Sequence, residues 1–286
     1  MRRMDVLATR WGVARRDGAE VALLDLPHRD VGELVRATGS LQDMHLAPVT
    51  RRLPLHEATA GLIAPLGTIG TLWGVGMNYH SKARLTGRPI PVEPTLYTCA
   101  VSAVAKSGDA LPFPDGCTEQ LDGEAEIAVV VGRRMYRVDA RDAWSHVAGI
   151  TAANDLTARD VMVRTGNPTL AKSFPGCTPI GASVLPAEGV ADPDAIGVRG
   201  LVDGVVHQDS TSADMIWPIT ELLARISWFA ALEPGDVLLT GTPAGTGQDR
   251  GAFLAPGSTL TVEVDGVLPL HTSIALSAVP DTFTPA

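Results

Sequence analysis

The feature that most constrains the fold is a series of short apolar runs separated by turn residues. Glycine and proline, which account for 29 and 21 residues of the chain, stand between the runs. Runs of this length bounded by Gly, Pro and Asp favour strands over helices. We therefore predict a mixed α/β fold that is mainly β. The runs cover residues 71–77, 95–104, 126–131, 147–153, 197–202, 237–240 and 260–264.

The segment before residue 70 has a different pattern and ends in a glycine-rich stretch. We expect a small N-terminal α/β domain over residues 1–70 and a larger, mainly β domain over residues 71–286. The longest helix of the larger domain is expected at residues 215–231, where apolar residues recur at helical spacing. The smaller domain is expected to contain two strands and one helix, at residues 6–13, 21–26 and 31–41.

Composition excludes several classes of protein. The net charge of −9 and the lack of a basic cluster argue against nucleic-acid binding, because neutralising phosphates needs a basic face. No run approaches the roughly 18 apolar residues of a membrane span. Cys99, Cys117 and Cys177 lie far apart, without disulfide or zinc spacing. We expect a cytoplasmic protein that binds neither nucleic acid nor membrane.

Two glutamates stand at the entrance to the strand predicted at residues 126–131. Glu124 and Glu126 are two positions apart, so on a strand both side chains project to the same face. Carboxylates this close repel each other unless they are solvated, share a proton or bind a hard cation such as Mg²⁺ or Mn²⁺. Taken alone, the pair favours a solvated polar strand entrance over a metal site.

A third carboxylate, Asp155, follows the apolar run at residues 147–153. It precedes a helix expected at residues 156–164, so it is a candidate N-cap as well as a metal ligand, and the two explanations are evenly balanced. If it joined Glu124 and Glu126, about three positions of an octahedral ion would stay open for water or substrate. Such an open site is typical of a catalytic metal.

Two further segments carry candidate functional groups. Lys172 is one of only three lysines in the chain and lies in an uncharged, partly apolar stretch, which favours a functional positive charge. The glycine-rich segment at residues 240–247 contains Thr242 but lacks the Lys-Ser/Thr ending of a P-loop. It is either a cradle for a substrate anion or an ordinary flexible turn.

Four segments in fixed order, EAEIAVVVG, NDLTARD, AKSF and PGDVLLTGTPAGTG, together with GMNY at residues 76–79, resemble the fumarylacetoacetate hydrolase superfamily. The resemblance covers about residues 70–275. It implies a catalytic domain with a mixed β-sandwich or roll, and a homodimer. It also implies roles for individual residues of these motifs. Glu124, Glu126 and Asp155 would bind Mg²⁺ or Mn²⁺, Lys172 would lie beside the metal and substrate, and Thr242, Tyr79 and Arg159 would contact substrate.

The sequence departs from the family pattern on the substrate side. The His–Glu pair that activates water in family hydrolases is replaced by Lys82 and Leu85. His80 and Lys82 are therefore candidate catalytic substitutes, although a lone His is more often structural. The family's F-x-K segment is Tyr97-Thr98-Cys99 in this chain, so Cys99 stands where the family has lysine. Met162 stands where the family commonly has Gln. We expect Cys99 and Met162 to face the substrate.

These features lead to three hypotheses of function. The first is a metal-dependent hydrolase or lyase that cleaves a carbon–carbon bond in an acylpyruvate-like or β-dicarbonyl substrate. The second is a 2-oxo-acid decarboxylase, isomerase or dehydratase, because a chelated metal stabilises an enolate without the His–Glu pair. The third is a non-catalytic descendant that binds a small carboxylate.

Overall fold

The computed structural model describes residues 4–276. The ends of the two expected domains, residues 1–3 and 277–286, lie outside the described residues. The prediction of a mixed α/β fold that is mainly β is confirmed. No helix in the described range is both long enough and apolar enough to cross a membrane.

The strands form most of the structure. In chain order they are β1 (Val6–Thr9), β2 (Gly12–Asp17), β3 (Glu20–Leu24), β4 (Val49–Pro54), β5 (Leu72–Gly76), β6 (Thr95–Cys99), β7 (Val104–Lys106), β8 (Ala110–Pro112), β9 (Leu121–Asp122), β10 (Ala125–Val131), β11 (Val147–Asn154), β12 (Thr157–Ala158), β13 (Thr178–Ile180), β14 (Ser183–Pro186), β15 (Gly197–Val202), β16 (Val205–Thr211), β17 (Val237–Leu239), β18 (Thr259–Val264) and β19 (Leu270–Ala275).

The α-helices are short and lie between the strands. They are α1 (Val31–Thr38), α2 (Leu55–Ala60), α3 (His80–Thr86), α4 (Ala140–Ala143), α5 (Arg159–Thr165), α6 (Pro168–Ala171), α7 (Ile219–Phe229) and α8 (Gly247–Arg250). Helix α7 is the helix expected at residues 215–231. It starts later than expected because Pro218, at its N-cap, has extended backbone angles.

The strands form one large sheet and one smaller sheet. The large sheet has twelve strands and runs in the order β4-β3-β2-β1-β14-β11-β10-β17-β5-β6, with β13 and β7 attached at β11. The five-stranded sheet has the order β16-β15-β18-β19-β8, and β12 pairs with β9 separately. The central strand β10 pairs antiparallel with both β11 and β17, so both of its edges are hydrogen-bonded.

Strand β10 is buried on both faces. Ile127 and Val129 contribute to a core that also contains Val198 and Val262 of the five-stranded sheet. The alternate residues of β10 contribute to a second core with the N-terminal strands and α1. This continuous burial explains the uninterrupted apolar run in the sequence. The two glutamates at the strand entrance share the face of these alternate residues.

The N-terminal segment has more elements than the two strands and one helix predicted, because β4 and α2 are also present. The strand expected at residues 6–13 is two strands, because the chain turns at Arg10 and Trp11 and pairs Val6 with Arg15. Helix α1 ends at Thr38 because Gly39 takes the left-handed conformation. Strand β1 pairs with β14, so the large sheet runs across residue 70. The division of the chain at that residue stays a prediction.

Candidate metal centre and active site

Three carboxylates meet at the entrance to β10. Glu124 and Glu126 flank the start of the strand, and Asp155 follows the end of β11, whose last residue Asn154 pairs with Ala125. One oxygen from each of the three carboxylates lies within 4.8 Å of the other two. All three side chains are buried. The structure therefore brings together the three residues predicted as metal ligands.

Asp155 is not a helix cap. Helix α5 begins at Arg159 with Ala158 at its N-cap, and residues 157–158 form strand β12 with β9. The expectation of a helix directly after Asp155 was wrong because the β12–β9 pairing extends the backbone there. The capping explanation is removed, and the explanation as a metal ligand remains.

Two buried cations contact the carboxylates. The Arg159 guanidinium donates to Asp122 at 2.8 Å and to Glu124 at 2.5 Å. The Lys172 ammonium, at the end of α6, donates to Glu124 Oε2 at 2.6 Å and to Asp155 Oδ2 at 2.5 Å. Each cation joins a segment that is distant in sequence to the β10 entrance. Arg159 and Lys172 thus hold the carboxylates in place.

The pKa values reflect this arrangement. Burial alone would raise the pKa of Glu124, but the positive charges of Arg159 and Lys172 outweigh it and hold the pKa below its usual value. Burial, and after it the charges of Asp155 and Glu124, raise the pKa of Glu126. Burial also raises the pKa of Asp155, against the opposing effect of Lys172. For Glu126 and Asp155, the nearby positive charge thus does not offset the effect of burial on the pKa.

These residues fit a divalent cation. Four buried acidic side chains, those of Asp122 and the three carboxylates, face the two cations Arg159 and Lys172, which leaves a formal excess of two negative charges. The Oδ1 atom of Asp155 is buried without a hydrogen-bond partner. An orphaned carboxylate oxygen and an uncompensated double charge are what Mg²⁺ or Mn²⁺ would satisfy.

The glycine-rich segment after β17 contacts the same centre. The Gly241 amide donates to Glu126 Oε2 at 2.7 Å, and Thr242 donates its hydroxyl to the Ala125 carbonyl at 3.0 Å. Gln208 donates to Thr242 Oγ1 at 2.7 Å and thereby orients the hydroxyl. A short helix, α8, follows this segment, although the sequence showed no helical pattern there. The segment is ordered by hydrogen bonds and is not a loose turn.

A cavity of about 460 Å³ opens onto two of the three carboxylates. Five residues predicted from the sequence for catalysis or substrate binding line it, namely Lys82, Arg159, Met162, Lys172 and Thr242. So do Glu124 and Glu126. Tyr97 and the exposed Arg88 are among the other lining residues.

Helix α3 holds Lys82 in an ion pair at one side of the cavity. Its ammonium donates to Asp249 Oδ2 and to Thr246 Oγ1, both at 2.7 Å. Asp249 also accepts from the amides of Gly245 and Thr246. Leu85, at the position of the family glutamate, is 59% exposed. Lys82 therefore connects α3 to the glycine-rich segment.

Three other predicted residues lie outside the cavity lining. Tyr79 is wholly buried in the core beside Val75 and Met215. His80 is the half-buried first residue of α3, and Cys99 is buried in the core around Leu72. Within the described residues, none of the three belongs to the cavity wall. Their predicted catalytic or substrate-binding roles have no support from this geometry.

The sequence reasoning missed several residues of the centre. Asp122 accepts hydrogen bonds from Arg159 and from the amides of Gly247 and Gln248. The Tyr97 hydroxyl donates to Asp155 Oδ2 at 2.6 Å. Asp122 stands two positions before Glu124, so the same strand alternation that paired the glutamates was a usable signal for it. For Tyr97, the only signal was its place in the altered F-x-K segment.

Comparison with known proteins identifies the family of the chain. The sequence model for the fumarylacetoacetate (FAA) hydrolase C-terminal family matches residues 71–275. A mitochondrial oxaloacetate tautomerase from Bos taurus is 34% identical over 244 residues, which cover 84% of this chain and 77% of the relative.

Solved structures share the fold. A fumarylacetoacetate hydrolase from Exiguobacterium antarcticum has a TM-score of 0.84 at 25% identity, covering 96% of this chain and 99% of that chain. Fumarylpyruvate hydrolase from Pseudomonas aeruginosa, solved in complex with Mn²⁺ and pyruvate, has a TM-score of 0.65 at 28% identity and covers 73% of this chain and 91% of that chain. With the family model matched over most of its length, the chain belongs to the fumarylacetoacetate hydrolase family.

Proposed function

We propose that the protein is a divalent-metal-dependent isomerase that interconverts the keto and enol forms of an oxaloacetate-like 2-oxo acid. The observation that carries this proposal is that α3 lacks the family's water-activating His–Glu pair. The metal end of the cavity keeps the three carboxylates that the family resemblance assigns to the metal, whereas Lys82, at the position of the family's water-activating histidine, is paired with Asp249 at 2.7 Å. Stabilising an enolate draws on the first set of groups and not on the second.

The metal end supplies the charge stabilisation that the reaction needs. Glu124, Glu126 and Asp155 would hold Mg²⁺ or Mn²⁺, and the bound ion acts as a Lewis acid on the oxygens of a 2-oxo acid. The carboxylates raise the pKa of Lys172 even though burial lowers it, so this residue keeps its ammonium charge at the cavity wall. A substrate oxygen that becomes negative as the enolate forms is stabilised by that charge.

The charges around the cavity favour an anionic substrate. Lys82, Arg88, Arg159 and Lys172 line it, and a divalent ion held by Glu124, Glu126 and Asp155 would offset the two excess negative charges at the metal end, in a protein whose net charge is −9. Local positive charge in a cleft attracts anions even when the whole protein is acidic. The Bos taurus relative is named for oxaloacetate, which is a dicarboxylate.

Lys82 is poorly suited to activate water. Its nitrogen donates hydrogen bonds to both Asp249 and Thr246, whereas a general base must present a free lone pair. His80 does not line the cavity, and Leu85 carries no ionisable group. The proposal therefore assigns proton transfer to no residue of α3.

The test is a direct assay of the purified protein with Mg²⁺ or Mn²⁺. Enol oxaloacetate is mixed with enzyme and the decay of its ultraviolet absorbance is followed, while a coupled assay measures pyruvate to detect decarboxylation. We expect the enzyme with metal to accelerate the decay of the enol absorbance without forming pyruvate. After chelation of the metal by EDTA, the decay should return to the uncatalysed rate. If metal binds but enol decay stays at the uncatalysed rate, the isomerase proposal is wrong.

A second candidate is the hydrolysis of a carbon–carbon bond in an acylpyruvate-like or β-dicarbonyl compound. It is favoured by the similarity to fumarylpyruvate hydrolase, whose solved complex contains Mn²⁺ and pyruvate. Mass spectrometry separates the two reactions, because hydrolysis adds water and gives two products whereas isomerisation leaves the mass unchanged. Metal binding with ligand-induced thermal stabilisation but no turnover of any such compound would favour a non-catalytic descendant.

We also propose that the protein is a cytoplasmic homodimer. Three free cysteines agree with a reducing compartment. Light scattering coupled to size-exclusion chromatography measures the mass in solution, and a mass near 30.0 kDa would contradict the dimer.

A further inference from the structure

We propose that the Tyr97 hydroxyl is a positioning group for the metal ligand Asp155, which it holds so that one carboxylate oxygen faces the ion. The inference depends on the metal site of the proposed function but not on the reaction. Its basis is a buried contact that the F-x-K pattern, with phenylalanine at this position, does not provide.

The two oxygens of Asp155 have unequal surroundings. Oδ2 accepts from the Tyr97 hydroxyl at 2.6 Å and from the Lys172 ammonium at 2.5 Å. Oδ1 is buried and has no hydrogen-bond partner. A carboxylate held by two donors on one oxygen cannot rotate freely, so Oδ1 is the atom presented to a cation. Asp155 would therefore bind through one oxygen only.

Lys172 alone does not fix this orientation. Its ammonium is shared among Glu124, Asp155 and Thr157, with donor–acceptor distances between 2.5 and 2.8 Å. Its three N–H donors serve three different acceptors, so only one of these hydrogen bonds acts on Asp155. The tyrosine has one acceptor and a rigid ring, so it is the group that distinguishes Oδ2 from Oδ1.

The backbone around Tyr97 is built to hold the ring in place. Tyr97 lies on β6 opposite Gly74 of β5, and a Cβ atom at residue 74 would lie 2.3 Å from the ring. The glycine therefore leaves the space in which the ring lies. The Lys172 ammonium lies 5.3 Å from the ring centroid, within the range of a cation–π contact. The ring is 8% exposed and is confined between the strand and the lysine.

Groups that hydrogen-bond a metal ligand typically change metal affinity by about 10- to 100-fold when they are removed. The change Tyr97→Phe removes one oxygen and restores the residue of the family's F-x-K segment. We expect its Mn²⁺ dissociation constant, measured by calorimetry without substrate, to rise about tenfold or more. Tyr136→Phe is the matched control, because Tyr136 is half-exposed and stacks near Arg134 and Arg137, and its Mn²⁺ affinity should be unchanged.

A purely structural hydroxyl would give a different result. It would lower the unfolding temperature of the metal-free protein and leave the Mn²⁺ affinity within threefold of wild type, and that outcome overturns the inference. The electron paramagnetic resonance spectrum of bound Mn²⁺ should also change in Tyr97→Phe and not in Tyr136→Phe. Wild-type protein that binds Mn²⁺ but does not turn over oxaloacetate would contradict the proposed function and leave this test intact.

If Tyr97→Phe does not fold, the wild-type protein still allows a test. The chain has three tyrosines, so protein labelled with ¹³C at the tyrosine Cζ gives three resolvable signals. We expect the Tyr97 signal to shift with Mg²⁺ saturation while the Tyr136 signal stays fixed. A Tyr97 signal that does not respond to saturating Mg²⁺ overturns the inference.

Discussion

The two sides of the cavity hold their charged groups in opposite ways. At the metal end, the acidic side chains outnumber Arg159 and Lys172, and Asp155 keeps an oxygen without a partner. At α3, one cation meets one carboxylate, because Lys82 pairs with Asp249, whose oxygen also accepts from backbone amides. The charges at the metal end are not balanced without a bound cation, whereas the Lys82–Asp249 pair at α3 is balanced by itself. We therefore assign the chemistry to the metal end and anchoring to α3.

The largest effect expected from this comparison follows from removing a metal ligand. Asp155→Asn keeps the shape of the side chain but removes its charge, so metal affinity should fall and turnover should drop by on the order of 100-fold or more. Calorimetry and the enol assay measure both quantities. Asp142→Asn, on the exposed side of α4, is the control and should match wild type. If Asp155→Asn binds metal as tightly as wild type, Asp155 is not a metal ligand and the difference drawn between the two sides of the cavity is wrong.

The three lysines allow a direct comparison of stability. Lys172→Met should lower the free energy of unfolding in EDTA by about 3–5 kcal/mol, because it leaves buried carboxylates without their cation. Lys106 pairs with Asp109 at the surface, so Lys106→Met should cost less than about 1 kcal/mol. Chemical denaturation measures both. Equal costs for the two changes would mean that Lys172 is not needed to compensate the metal end.

Lys82→Met tests the anchoring role of α3. It should lower the free energy of unfolding by about 1–3 kcal/mol, less than Lys172→Met, because Asp249 keeps its two amide donors. Tautomerase activity should change by less than about tenfold, since the group does not touch the reacting atoms. A loss as large as that of Asp155→Asn would make Lys82 catalytic and would reverse our assignment.

The smallest effect concerns acid pH. Burial opposes it, but the hydrogen bond and charge of Lys82 lower the pKa of Asp249 below its usual 3.8. A lowered pKa in the folded protein gives stability that is present above 3.8 and is lost as the pH falls through the folded value. The difference in unfolding free energy between wild type and Asp249→Asn should stay constant from about pH 5 to pH 7 and shrink below about pH 4. A constant difference down to pH 3 would contradict the ion pair.

The strand pattern and the ordered motifs predicted the fold class. They also predicted that Glu124, Glu126 and Asp155 lie close together. Strand alternation is a local rule, so spacing alone placed Glu124 and Glu126 on one face, whereas their assignment to a metal with Asp155 came from the family resemblance. The pair Lys82–Asp249 spans 167 residues and the pair Tyr97–Asp155 spans 58. No local periodicity encodes contacts of that range, because they depend on how strands are ordered in the sheet.

Local rules also failed where tertiary contacts decide the backbone. Asp155 has the sequence context of a helix cap, but pairing of β12 with β9 delays the helix to Arg159. His80 has the chemistry of a catalytic base, but as the first residue of α3 it lies away from the cavity lining. Residue type indicated what these side chains can do, and packing decided whether they do it.

The glycine-rich segment has a consequence for engineering this protein. Gly241 has a φ of +90° and lies against Asn78, and at Gly245 a Cβ atom would lie 1.9 Å from the carbonyl oxygen of His207. Neither position accepts a side chain, so libraries that randomise this segment will consist mostly of misfolded members. Met162 and Val163 line the cavity from α5, and Val163 is 77% exposed. Diversity introduced at those two positions can change substrate preference while the scaffold of the metal end is left intact.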